Sequence, residues 1–207
     1  MLLPADLLAG FFVAAVLLAL APGPDNLFVL TQSALYGRAS GLAVMGGLCT
    51  GLVGHTVAVA LGVAVIFQTS ALAFSALKYA GAAYLLYLAW QAFHATASGP
   101  AAGCREQLGK LYRRGIIMNL TNPKVSLFFL AFLPQFADPS RGSLPGQLIL
   151  LGGTFIVATI LVFGAIALLA GSLGGWLKRS PLVQRSLNWV AGSIFIALAL
   201  ALVVAQR

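Results

Sequence analysis

Charge is what this sequence has least of. Twelve Lys and Arg and four Asp and Glu are spread over 207 residues, 8% of the chain. A soluble domain carries about 25% charged residues. With 60% hydrophobic residues and a mean hydropathy of +0.99, this chain cannot cover a globule with charge. That excludes a soluble enzyme, a disordered tail and a disulfide-stapled secreted domain, and makes lipid the main solvent. Cysteine is also scarce: Cys49 and Cys104 form no CxxC and no Cys/His ligand spacing, so they read as free thiols. No metal site and no organic cofactor is expected. The +8 balance suggests nucleic acid only until its basic residues are located. They are scattered over short connections, with no aromatic interleaving and no reading motif, so no nucleic-acid partner is expected.

Between the few charges lie long apolar runs. Residues 39–77, 79–104, 142–177 and 186–206 contain no Asp, Glu, Lys or Arg. A spanning helix needs about 20 mostly apolar residues. Runs near 5–30, 41–66, 72–94, 114–136, 146–171 and 186–205 meet that length, which predicts six transmembrane helices. They lack the alternation of barrel strands, so the fold class is an all-α integral membrane protein, one transmembrane domain over 1–207. Leu2–Ala21 has the length of a secretory signal, but no Lys or Arg precedes Arg38, so it reads as a retained first helix. Lys and Arg set orientation. Arg38, Arg105, Lys110, Arg113, Arg114, Lys178, Arg179 and Arg185 fall on one side, against Lys78, Arg141 and Arg207 on the other. The bias puts the first set in the cytoplasm and both termini outside.

The chain divides into repeat one, about 1–94, a linker at about 95–112, and repeat two, about 113–207. Shifted by about a hundred residues, Pro22-Gly23-Pro24-Asp25-Asn26 falls on Thr121-Asn122-Pro123-Lys124-Val125. Both segments break a spanning helix with proline and place a charge directly after it. Three helices per half make the halves inverted, the plan of many secondary transporters, whose sites lie at interrupted helices near the midplane. Proline removes an N–H and frees carbonyls. The new half-helix starts suit an anion, the freed carbonyls a cation.

Asp25 and Lys124 are the strongest candidates, because an ionisable group at mid-bilayer costs about 2.5–3.5 kcal/mol on insertion scales. Such charges must pair, face water, or both. Asp25 would receive an amino group or a coupling proton, and Lys124 a carboxylate. The competing reading is a buried ion pair that only fixes helix packing. Asn26, Asn119 and Asn122 are expected to satisfy freed backbone groups, with Asn119 also lining the site. His55 is a packing residue or a proton relay. The carbonyls of Ala21 and Leu120 leave Na+ open beside H+ as coupling ion. Glycines 46, 47, 51, 54, 62, 152, 153 and 164 are expected to let helices approach closely, within the chain or in a homodimer.

These residues together resemble the LysE/RhtB family of amino-acid exporters. The likeness rests on Pro22-Gly23-Pro24-Asp25-Asn26, Gly37-Arg38-x-x-Gly41 and Gly47-x-x-x-Gly51-x-x-x-His55. It continues in Lys78-Tyr79-x-Gly81-x-x-Tyr84-Leu85, in Gly115-x-x-x-Asn119-x-x-Asn122-Pro123-Lys124 and in Leu133-Pro134-Gln135-Phe136. The resemblance implies efflux of amino acids or close derivatives from the cytoplasm across a bacterial inner membrane, driven by ion exchange; both termini would then lie in the periplasm, and no enzyme activity is expected. The alternatives are a structural or regulatory membrane protein and a membrane thiol–disulfide carrier. The carrier needs paired intramembrane cysteines, and Cys49 has no partner within a span.

Overall fold

A computed structural model describes residues 3–69, 71–94, 106–179 and 181–204. Cys104, Arg105 and Arg207, and most of the expected linker, lie outside the described residues. All regular structure among the described residues is helical. The order is α1 (Ala5–Leu20), α2 (Pro24–Tyr36), α3 (Arg38–Thr69), α4 (Ala71–His94), α5 (Leu108–Thr121) and α6 (Pro123–Leu127). A π-helical turn (Phe128–Phe132) and two 3-10 turns (Leu133–Phe136 and Pro139–Arg141) precede α7 (Leu144–Arg179) and α8 (Pro181–Val204). The all-helical expectation holds, and α5 already begins at Leu108, inside the stretch read as linker.

The prolines act where proline chemistry predicts. Leu20 ends α1, and Pro24 opens α2 at its first turn, where a missing N–H costs nothing. The axis bends by 62° across this gap. Pro123 likewise opens α6 directly after Asn122, with a 50° bend. Among the described residues, Arg38–Gly62 and Leu144–Ala170 are each long and apolar enough to cross a membrane. Each bent pair taken as one span brings the number to four.

Helix α3 packs along α5 and α7, α4 along α8, and α1 and α2 along α7. The crossing of α3 with α5 depends on small residues. A Cβ on Gly47 would run into the Tyr112 carbonyl oxygen, and one on Gly115 into the Val44 carbonyl. At the crossing with α7, a Cβ on Gly152 would strike the Thr56 side chain. Gly62 and Gly153 make no such approach within the chain: each has open space where a Cβ would sit. One residue turns a helix by about 100°, so Gly153 points away from the crossing that Gly152 makes.

The core is aromatic on the α1 side. Phe11 meets Phe136 edge-on at 5.1 Å and Phe128 at 6.1 Å. Phe128 also meets Phe132 at 4.7 Å and Phe155 at 5.2 Å. Beyond this cluster the chain turns through Asp138, whose carboxylate accepts from the Ser140 N–H at 2.9 Å and hydroxyl at 2.6 Å. The Ser140 hydroxyl, then its N–H, hold that carboxyl below the usual carboxylate range. Buried Gln147 ties the turn to α7, donating to the Asp138 carbonyl and accepting from its N–H.

Candidate functional site at the two helix breaks

A helix that ends in lipid must place its last carbonyls somewhere. The accounting at the end of α1 locates the site. Leu17 O accepts from the Ala21 N–H at 3.0 Å. Ala19 O accepts from the Asn26 amide at 2.6 Å, across the break. Leu18 O and Ala21 O both accept from the Lys124 ammonium, at 3.2 and 3.0 Å. Lys124 is thus a cation placed at the negative end of a helix dipole, more than a hundred residues away in sequence. Its Nζ also lies 5.9 Å from the centre of the Phe195 ring, on α8. At Gly23, in the gap itself, an added Cβ would stand 3.2 Å from that Nζ.

The second break is satisfied in a similar way. Asn119 O accepts from the Asn122 N–H at 3.1 Å, and His55 Nε2 on α3 lies 3.2 Å from the same oxygen. A carbonyl can only accept, so this contact makes Nε2 the protonated nitrogen. Asn122 caps α6, its side-chain oxygen accepting from the Lys124 N–H at 3.0 Å. The Asn26 and Asn122 side chains each meet a freed backbone group, whereas the Asn119 side-chain oxygen is buried with no hydrogen-bond partner. Gly51 gives Asn119 its room, since a Cβ there would stand 2.6 Å from Oδ1.

Asp25 sits between these elements, 3% exposed, in the first turn of α2. Asn122, Asn119 and Lys124 are its polar and charged neighbours. Yet the ion pairs within 4 Å among the described residues are Arg114–Glu106 and Arg141–Asp138, both away from this site. Asp25 and Lys124 are neighbours without direct contact. Asp25 Oδ1 and Asn26 Oδ1 are buried with no hydrogen-bond partner, as is Asn122 Nδ2. A buried carboxylate with no cation on it is costly to maintain. The structure brings together Asp25, Asn119, Asn122 and Lys124, puts Asn26 and Gly23 at the same break, and attaches His55 through the Asn119 carbonyl.

Two further buried residues stand apart in sequence from the breaks and their charges. Phe195 has no sequence signal linking it to Lys124. Gln32 is buried with Oε1 unpartnered, seven residues after Asp25 on the same face of α2. That spacing was a usable signal.

The sequence matches the LysE type translocator family over residues 16–206. The chain belongs to that family. Among its relatives is the homoserine/homoserine lactone efflux protein of Salmonella typhimurium, 37% identical over 200 residues, covering 95% of this chain and 96% of that protein. An uncharacterized membrane protein of Vibrio cholerae is 35% identical over 198 residues, again covering 95% and 96%. No solved structure matches the chain. As a LysE type translocator it is a membrane transport protein and not an enzyme.

Proposed function

We propose that this LysE type translocator exports small amino-acid-type compounds from the cytoplasm across a bacterial inner membrane, using the site between its two helix breaks. The observation that carries this is Asp25: a buried carboxylate at a helix break, flanked by amides, with no cation in contact. A protonated amine fits such a group, and so does a proton. Alternate occupation by the two is the simplest route to proton antiport. Homoserine and its lactone head the substrate list because a relative covering nearly the whole chain carries their name.

In this reading six spans form two inverted three-helix repeats, with the bent pairs counted as one span each and α4 and α8 as the remaining two. The packing supports it. Helix α3 meets α7, its counterpart in the other half, and α4 meets α8; α1 on α7 mirrors α5 on α3. Both termini lie in the periplasm. A periplasm-active reporter fused after Arg207 is expected to be active, and activity of a cytoplasm-only reporter there would overturn the topology. The export test is a panel of labelled amino acids in loaded vesicles with and without a proton gradient. Homoserine efflux that is several-fold faster with the gradient is expected. Efflux of no amino compound above empty-vesicle background would overturn the exporter reading, and gradient-independent efflux the antiport.

A further inference from the structure

The Lys124 ammonium rests in a receptor that has the features of an amine-binding site. It has two carbonyl acceptors, Leu18 O at 3.2 Å and Ala21 O at 3.0 Å. It has an aromatic ring, Phe195, 5.9 Å from the nitrogen, within the range of cation–π attraction. Its floor is Gly23, where a Cβ would press on the nitrogen at 3.2 Å. A lysine ammonium is a primary amine on a methylene. The group held here is therefore chemically the head of an amino compound, supplied by the protein itself. Beside it stands Asp25, buried and without a cation in contact.

We propose that the Leu18 and Ala21 carbonyls with the Phe195 ring form a primary-ammonium subsite, that Lys124 is its resident occupant, and that a substrate amine enters by displacing Lys124 onto Asp25. The entering ammonium adds one positive charge to the site, and every charge then has an acceptor or a partner. Before it, the cradle holds one ammonium and Asp25 stands alone. After it, the cradle holds the substrate ammonium and Lys124 is paired with Asp25. Each step moves a cation between acceptors, and no buried cation is left without them. The cradle acts through N–H donors, so it takes primary ammonium compounds and rejects quaternary ones, which carry no N–H. The identity of the incoming amine rests on the export reading; the cradle itself does not.

The test empties the cradle and refills it. Lys124→Met and Lys124→Ala are purified in detergent and titrated with methylammonium, which is the bare head group. Tetramethylammonium serves as the quaternary control. Methylammonium at saturation is expected to raise the thermal midpoint of either variant by about 5 °C, through binding to the folded state only. Wild type, with its cradle filled, should gain less than about a fifth of that. If a variant is recovered folded only when methylammonium is present, the rescue counts in the same direction. The cradle is overturned if methylammonium neither stabilises nor rescues either variant, if wild type gains as much, or if tetramethylammonium works as well. Rescue by methylammonium together with a vesicle panel showing no exported amine would retain the cradle and remove the exporter.

Discussion

Asp25→Asn, at unchanged membrane expression, is expected to lower amino-compound export about 10- to 100-fold, the scale of losing one buried charge-assisted hydrogen bond. The substitution keeps the side chain's size and shape and a carbonyl oxygen toward the site. It removes the negative charge that an ammonium, the substrate's or that of a displaced Lys124, or a coupling proton would neutralise. Folded yield should stay within about twofold of wild type, because a neutral amide is easier to bury in lipid than a carboxylate. Lys124 keeps its two carbonyl acceptors on α1 in this variant, so it is not stranded. This separates function from packing. If Asp25 served only to fix helices, Asp25→Asn would leave export near normal or would lower folded yield and export together. Either result, measured as efflux per folded molecule, would remove the site from the helix breaks.

Much of this was legible because proline and charge leave marks that lipid makes severe. Pro22, Pro24 and Pro123 announced both breaks, and the charge after each break announced Asp25 and Lys124. What lipid demands of a charge is compensation, not a particular partner, so the sequence did not say which partner Lys124 takes. The answer, the Leu18 and Ala21 carbonyls, depends on how α1 and α6 meet in space. It also changes the expectation for Ala21, whose freed carbonyl is filled by the protein's own ammonium. Phe195 carries no mark in the sequence, because a phenylalanine in an apolar helix is ordinary until its neighbour is known. Gly152 and Gly153 show the same limit: composition marks both as small, and only the rotation of α7 separates the one that meets Thr56 from the one that meets nothing. The halves' correspondence was visible at the breaks, where the chemistry is demanding, and faded along α4 and α8, where many apolar residues pack equally well.

That contrast between glycines yields the largest expected effect on stability. Gly47 lies where α3 crosses α5, and a methyl there meets the Tyr112 carbonyl, the Gly115 Cα and the Ile116 nitrogen. All three are backbone atoms, so no rotamer change relieves the clash; the two helices must separate. Overpacking of this kind costs about 3 kcal/mol. For a chain of this size, Gly47→Ala should then lower the thermal midpoint by about 6–12 °C. Export should fall with it, since α5 carries Asn119 and leads into the Asn122-Pro123-Lys124 break. Gly153→Ala is the matched control: its Cβ enters open space, and alanine gains about 0.5–1 kcal/mol over glycine in a helix. Its midpoint should rise slightly or stay put. Gly51→Ala falls between the two, because its Cβ meets the Asn119 side chain at 2.6 Å and not backbone. Turning that side chain moves Oδ1 but not the Asn119 Cβ, 2.7 Å away, so Gly51→Ala should lower the midpoint by less than Gly47→Ala and cost export by moving an amide beside Asp25. Equal midpoints for Gly47→Ala and Gly153→Ala would mean that α3 and α5 do not cross as closely as Gly47 and Gly115 permit. The breaks would then be held together by something other than this crossing.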